Sequence, residues 1–410
     1  MDLLNIITLV VTLTALFSYA NHRYLGLPVT IGVMLVALLL SLVLILLDAL
    51  GLGLARQAES LLRSIDFNKA LLQGMISFLL FAGALHINLN DLMERKAIIG
   101  LLSTAGTLMS LFLVGTLTWF VLGWFSVELP YLYCLLFGAL ISPTDPIAVL
   151  GILRTSRVPK SLEIEIAGES LFNDGIGIVA FVILLELATG ARSVSTGHVG
   201  WLFAREAIGG GLFGFGIGYV AYRMLKSIDN YQAELLITIA LVMGGYSLAR
   251  VFHVSGPIAI VVAGLLIGNQ GRLLAMSENT RHHLDIFWQL VDEILNAVLF
   301  VLIGLEVLVL PFSRQHFLAA LIIIPVVVLS RLAAVGVPVS LLRPYMTFSP
   351  GAIRIMTWAG LRGGISVALA LSLPLGPERD GILAITYAVV IFSILVQGLT
   401  IGKLVKRIIR

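Results

Sequence analysis

Two carboxylates sit where the surrounding sequence makes them costly. Asp145 lies in Ser142-Pro143-Thr144-Asp145-Pro146 inside one membrane-length apolar run, and Asp174 closes Glu169-Ser170-Leu171-Phe172-Asn173-Asp174 in the next. A charged side chain at a bilayer centre costs about 2.5–3.5 kcal/mol on insertion scales, so such residues mark ion or proton pathways by default. Pro143 and Pro146 remove backbone donors and disfavour helix at the residues before them, which leaves carbonyls unpaired around Thr144. Carbonyl oxygens beside a carboxylate make a hard-oxygen site that suits a monovalent cation such as Na+, Li+ or K+. A kinked helix in which Thr144 and Asp145 only cap the restarted segment would carry the same residues.

On a helix Ser170 and Asp174 share one face, while Glu169 and Asn173 share the neighbouring one. Asp174 and Ser170 can therefore face one ion, with Glu169 and Asn173 turned to an adjoining helix as an outer shell. The alternative, a loop and helix start at the membrane surface, fits Glu163 and Glu165 and weakens with depth toward Asp174. Desolvation raises the pKa of a buried carboxylate and nearby positive charge lowers it, so such a group can carry a proton in the neutral range. A carboxylate that takes cation and proton in alternation couples their movements by competition. One shared site, used from alternate sides, is an antiporter.

Two arginines also fall inside apolar runs. Arg331 keeps its proton and needs a buried anion, for which Glu169 is the first choice. Arg362, within Gly360-Leu361-Arg362-Gly363-Gly364, can offset the carboxyl end of a half-helix, unless it snorkels to the interface. Asp292 and Glu293 read as interfacial, opening a further run together with Asn296, and Glu306 lies near the far end of that run.

The elements that must position these residues follow from composition. Of 410 residues 59% are hydrophobic and 12% charged, with a mean hydropathy of +1.04, which marks an all-α polytopic membrane protein rather than a soluble domain. Thirteen apolar runs cover residues 3–20, 27–47, 67–87, 97–125, 130–153, 163–188, 200–225, 233–251, 256–270, 288–310, 317–342, 352–374 and 381–402. A span needs about 20 residues, so the ninth is short and the fourth long. The first follows Met1-Asp2 and reads as a span rather than a cleaved leader. With the amino terminus outside, cytoplasmic segments hold sixteen Lys and Arg against eight on the opposite side, which also puts the carboxyl terminus inside. The odd count divides into inverted repeats of six helices, residues 1–188 and 233–405, joined by a linking helix at 200–225, with no large soluble domain. Spans five and twelve occupy matching positions and each carries helix breakers, the best pointer in a sequence to a transporter site.

Other features are bland. Gly210, Gly214 and Gly218 form a close-packing face, a better reading than the dinucleotide-like Gly209, Gly211, Gly214 pattern with no strand before it. The lone Cys134 excludes an internal disulfide and reads as packing. The seven histidines are scattered, and no phosphate-binding loop is present, so neither an enzyme, a bound cofactor, nor an ATP-driven pump is expected. The net charge of +3 belongs to cytoplasmic loops rather than to a nucleic-acid surface.

Four stretches, Ser142–Pro146, Gly168–Gly175, Asp292–Asn296 and Gly360–Ser366, resemble the cation:proton antiporter-1 family, the NhaP-type antiporters related to animal sodium/proton exchangers. The resemblance implies a thirteen-helix, NhaA-like antiporter fold with crossed discontinuous helices, a homodimer, and an elevator-like movement of a six-helix core. It implies that Asp174 and Asp145, with Ser170 and the Thr144 backbone, receive the transported cation, and that Arg331 pairs with Glu169. Asn173, where electrogenic relatives carry a second Asp, implies electroneutral one-for-one exchange. The expected function is antiport of Na+ or Li+ for H+ in a prokaryotic plasma membrane, serving pH homeostasis. The rivals are a K+/H+ antiporter, an anion transporter built on Arg331, Arg362 and helix amino ends, and a cation channel.

Overall fold

All regular structure among the described residues is helical. The computed structural model describes residues 3–51, 59, 74–125, 127–145, 149–151, 153, 158–190, 196–309 and 313–409. Pro146, and Arg56, Arg63, Lys69, Arg154, Arg157, Arg192 and Arg410 of the charge count, lie outside them.

The principal helices are α1 (Leu3–Ala20), α2 (Val29–Ala49), α3 (Ile76–Leu85), α4 (Lys96–Trp124), α5 (Tyr131–Ile141), α6 (Lys160–Ala188), α7 (Gly210–Leu225), α8 (Tyr231–Val251), α9 (Gly256–Leu274), α10 (Glu278–Glu306), α11 (Arg314–Leu342), α12 (Ala352–Ala359), α13 (Gly364–Leu371) and α14 (Pro377–Ile409). Among the described residues nine helices are long and apolar enough to cross a membrane, and the chain is an integral membrane protein. Hydrocarbon offers no partner to backbone N–H and C=O groups, so apolar segments close their hydrogen bonds internally as helices. Polar caps set where several begin. Asn230 accepts from Gln232 N and Ala233 N at α8, and Ser255, Ser277 and Ser313 do the same for the first turns of α9, α10 and α11.

Two helix boundaries differ from the hydropathy reading. The ninth run is not short, because α9 continues through a π-helical turn at Ile267–Gly271 to Leu274. α10 begins at Glu278 rather than near residue 288, its first turns being too polar to register as an apolar run.

Helix packing is close where side chains are small. A Cβ on Gly210 would stand 2.8 Å from Ser255 O, and one on Gly218 3.1 Å from Ala263 Cα, while Gly214 lies directly against Ala259. The glycine face of α7 thus seats on α9. Cys134 is buried as a free thiol. On α10 the fully buried Trp288 donates from Nε1 to Thr238 Oγ1 at 3.1 Å and packs its ring 4.6 Å from that of Phe81.

Two segments stop in mid-path. α5 ends at Ile141, and Ser142–Asp145 continue without helix, as Pro143 requires. α12 ends at Ala359, and the chain passes through Gly360 (φ −71°, ψ 65°) and Gly363 (φ −111°, ψ −161°) before α13 starts. α6 and α13 both pack on α5, and α11 packs on α4, α12 and α14, so the breaks sit between long helices.

Candidate functional site

The two breaks are bound to each other. Asp145 N donates to Leu361 O at 2.8 Å, and Arg362 Nη1 donates to Ser142 O and Pro143 O, each at 2.9 Å. Arg362 N in turn donates to Ser393 Oγ at 2.8 Å. At 1% exposure Arg362 does not snorkel; its guanidinium meets the carbonyls that α5 leaves unpaired at its carboxyl end. The carbonyls freed by Pro143 are therefore not all open to an ion.

α6 runs beside the first break and holds Thr144 by three bonds. Ser170 Oγ donates to Thr144 O at 2.5 Å, Asn173 Nδ2 donates to Thr144 Oγ1 at 2.9 Å, and Thr144 N donates to Asn173 Oδ1 at 3.5 Å. Ser170, Asn173 and Thr144 are all buried. Asn173 thus grips the break itself instead of an outer helix.

Asp174, one residue on, is half-buried and within electrostatic reach of Asp145. The Asp145 carboxylate lies over Gly363, where a Cβ would collide with it. Thr144, Asp145, Ser170, Asn173, Asp174 and Arg362 thus converge from α6 and both breaks. Two carboxylates within electrostatic reach of one another beside Ser170 Oγ and Thr144 O can share a single cation or proton, which relieves their mutual repulsion.

Glu169 and Arg331 occupy the other flank. Arg331 Nη1 pairs with Glu169 Oε1 and Nη2 with Oε2 at 2.8 Å, a bidentate pair with both partners buried. Arg331 Nη2 also reaches Met356 O at 3.4 Å. Gly360 admits the guanidinium, since a Cβ there would stand 2.8 Å from Arg331 Nε. A cavity of about 10 Å³, room for one water, is lined by Arg331, Thr357, Gly360, Arg362 and Gln397. The Nε of each arginine has no partner among the described residues.

Nearer the start of α6, Glu165 is buried and pairs with Arg95 at 3.4 Å, which accounts for a carboxylate in the first turns of the helix. Asp292, read as interfacial from the sequence, is also tied to this site. It lies midway along α10, half-buried, within electrostatic reach of Asp145, and accepts from Asn296 Nδ2 at 3.1 Å. Glu293 beside it is exposed, at the same depth.

A family model described as the sodium/hydrogen exchanger, transmembrane, matches residues 11–407. The Na(+)/H(+) antiporter NhaP of Pseudomonas aeruginosa is 51% identical over 411 residues, covering 99% of this chain and 97% of that protein. The Na(+)/H(+) antiporter NhaH of Halobacillus dabanensis is 34% identical over 388 residues, covering 93% of this chain and 92% of that one. Among solved structures, that of the sodium proton antiporter MjNhaP1 from Methanocaldococcus jannaschii at pH 8 aligns with a TM-score of 0.79 over 100% of this chain and 99% of that chain, at 20% identity. At that identity the likeness concerns the fold.

Proposed function

The chain belongs to the sodium/hydrogen exchanger family, and from that premise we propose that it exchanges Na+ or Li+ for H+ through competition at Asp174 and Asp145. The observation that carries this reading is the pair itself: two carboxylates within electrostatic reach at a helix break, beside Ser170 Oγ and Thr144 O. The pair holds either one proton or one monovalent cation, and each carries a single positive charge. The loaded site therefore has the same net charge on both legs of the cycle, and exchange is one-for-one and electroneutral. Asn173 supports this, since its neutral amide is committed to Thr144 and adds no further titrating group.

The two breaks, joined through Arg362 and the Asp145–Leu361 bond, are tied to α6 by Ser170 and Asn173 and can move as one body that presents the site to alternate faces. The companion proposals are thirteen spans in two inverted repeats, a homodimer, and a prokaryotic plasma membrane with the amino terminus outside.

The test is reconstitution into vesicles with an imposed pH gradient, challenged in turn with Na+, Li+, K+ and chloride, for wild type and Asp174→Ala. The expected result is H+ movement driven by Na+ or Li+, lost in the variant and unchanged when the membrane potential is clamped. H+ flux that needs no cation, or an active Asp174→Ala variant, would overturn the proposal; a preference for K+ would move it to a K+/H+ antiporter.

A further inference from the structure

α10 carries polar side chains from its first turns to its middle. At 100° per residue Asp285, Gln289, Asp292, Glu293 and Asn296 lie within an arc of about 100°. Gln289 and Glu293 are exposed and bonded to each other, Gln289 Nε2 donating to Glu293 Oε1 at 3.0 Å. A carboxylate exposed halfway along a spanning helix belongs against water or a polar cavity rather than lipid. Gln289 and Glu293 thus form a polar track at the edge of a face that also exposes Ile286, Leu290 and Ile294, and the track runs toward the end of α10 that begins at Glu278 on one membrane face.

The inner edge of the arc ends on an unfinished cluster. Asp292 is half-buried and held by Asn296 Nδ2 at 3.1 Å, and Asn296 also anchors to Asp292 O at 2.9 Å. Asn296 is 1% exposed, and its Oδ1 has no hydrogen-bond partner among the described residues. A buried amide oxygen without a donor is costly, and beside a carboxylate it is a ready hard-oxygen ligand. Asp145 stands within electrostatic reach of Asp292, and Leu299, one turn further along α10, packs directly against Gly364 at the second break.

We propose that Asp292 and Asn296 form a staging site that receives a monovalent cation from the membrane face on which α10 begins and passes it to Asp145 and Asp174. This rests on the antiport reading above and adds a stop on the cation's route. The Asp292 carboxylate and Asn296 Oδ1 replace part of the ion's hydration, and Gln289 and Glu293 lie on the polar track. The site serves one face only, because the track runs toward one end of α10.

The experiment measures Na+-driven exchange in membrane vesicles of both orientations for wild type, Asp292→Asn, Asp292→Glu and Asn296→Leu, with Asp174→Ala as reference. Loss of the charged ligand is expected to raise the apparent Na+ KM of Asp292→Asn about tenfold at the face where α10 begins, more than it lowers Vmax. The KM at the opposite face is expected to move far less. Asp292→Glu recovers most of the affinity, and Asn296→Leu shows a smaller rise at the same face. If Asp292→Asn is not stably produced, the face asymmetry of Asn296→Leu decides. An unchanged KM at both faces, or equal losses at both faces as in Asp174→Ala, would overturn the staging site. A wild type that shows no cation-driven H+ movement would instead overturn the antiport reading itself.

Discussion

Replacing Glu169 by Ala leaves the Arg331 guanidinium charged in a place where it is 6% exposed. Its two bonds to the carboxylate disappear, and what remains is Met356 O at 3.4 Å, with Nε already unpartnered among the described residues. Removing one member of a buried pair costs about 3–5 kcal/mol, because the survivor is desolvated without compensation. That is a large fraction of the roughly 5–15 kcal/mol that stabilises a folded domain. At about 2–4 °C per kcal/mol in mid-sized proteins, a fall in melting temperature of several degrees or more is expected, with reduced yield. Glu169→Leu/Arg331→Met replaces both partners by apolar side chains of similar volume, an exchange that is often neutral or stabilising, and the single variants Glu169→Leu and Arg331→Met close the cycle. The double variant should therefore melt higher than either single one, with a coupling energy of about 3 kcal/mol in the cycle. Thermal unfolding of detergent-solubilised protein supplies the stabilities, and vesicle assays on the folded fraction supply the Na+ KM. A Glu169→Ala variant that melts with the wild type, or single-variant losses that simply add, would refute the structural assignment. A double variant that folds well yet has lost Na+ affinity would show that Glu169 binds the cation.

Further perturbations bear on the break. Gly363→Ala keeps an accessible backbone (φ −111°) but places a methyl against the Asp145 carboxylate and 2.7 Å from Asp145 Cβ, so it should raise the Na+ KM by more than about tenfold and lower the melting temperature by a few degrees; tight Na+ binding in that variant would move Asp145 out of the site. Ser170→Ala removes the hydroxyl oxygen that can turn from Thr144 O to the cation, a polar contact worth about 0.5–1.5 kcal/mol net, and a two- to tenfold weaker Na+ response is expected in titrations of exchange. If proton and cation compete for one carboxylate pair, acidification should raise the apparent Na+ KM, up to about tenfold per pH unit, with Vmax preserved; a fall in Vmax at constant KM would point to separate sites.

Residues whose type contradicts their surroundings are legible in the sequence alone. Asp145, Asp174, Arg331 and Arg362 stand out because each is a charge within apolar sequence, and Glu169–Arg331 follows because a guanidinium that cannot lose its proton needs a buried anion, here 162 positions away. Where each side chain points is less legible. Helical period gives Asn173 an angle on α6 but not what lies at that angle, and it is Thr144, carried there by a segment that has left its own helix. The tie of Asp292 to the site is hidden for a different reason: hydropathy registers only the apolar part of an amphipathic helix, so the polar turns from Glu278 onward vanish and the half-buried side that reaches toward Asp145 and Asn296 goes unseen. The carbonyls at the first break show a third limit. Pro143 does free them, yet Ser142 O and Pro143 O are taken by Arg362 from 220 and 219 positions away, and Thr144 O by Ser170. Of these three only Thr144 O is held by a neutral hydroxyl, which can turn its hydrogen elsewhere at small cost, whereas the other two bind a guanidinium. On the proposed mechanism a cation at Asp174 therefore gains a backbone ligand at Thr144 and not at Ser142 or Pro143, and the rotation of the Ser170 hydroxyl that releases it would also aim an oxygen lone pair at the same ion.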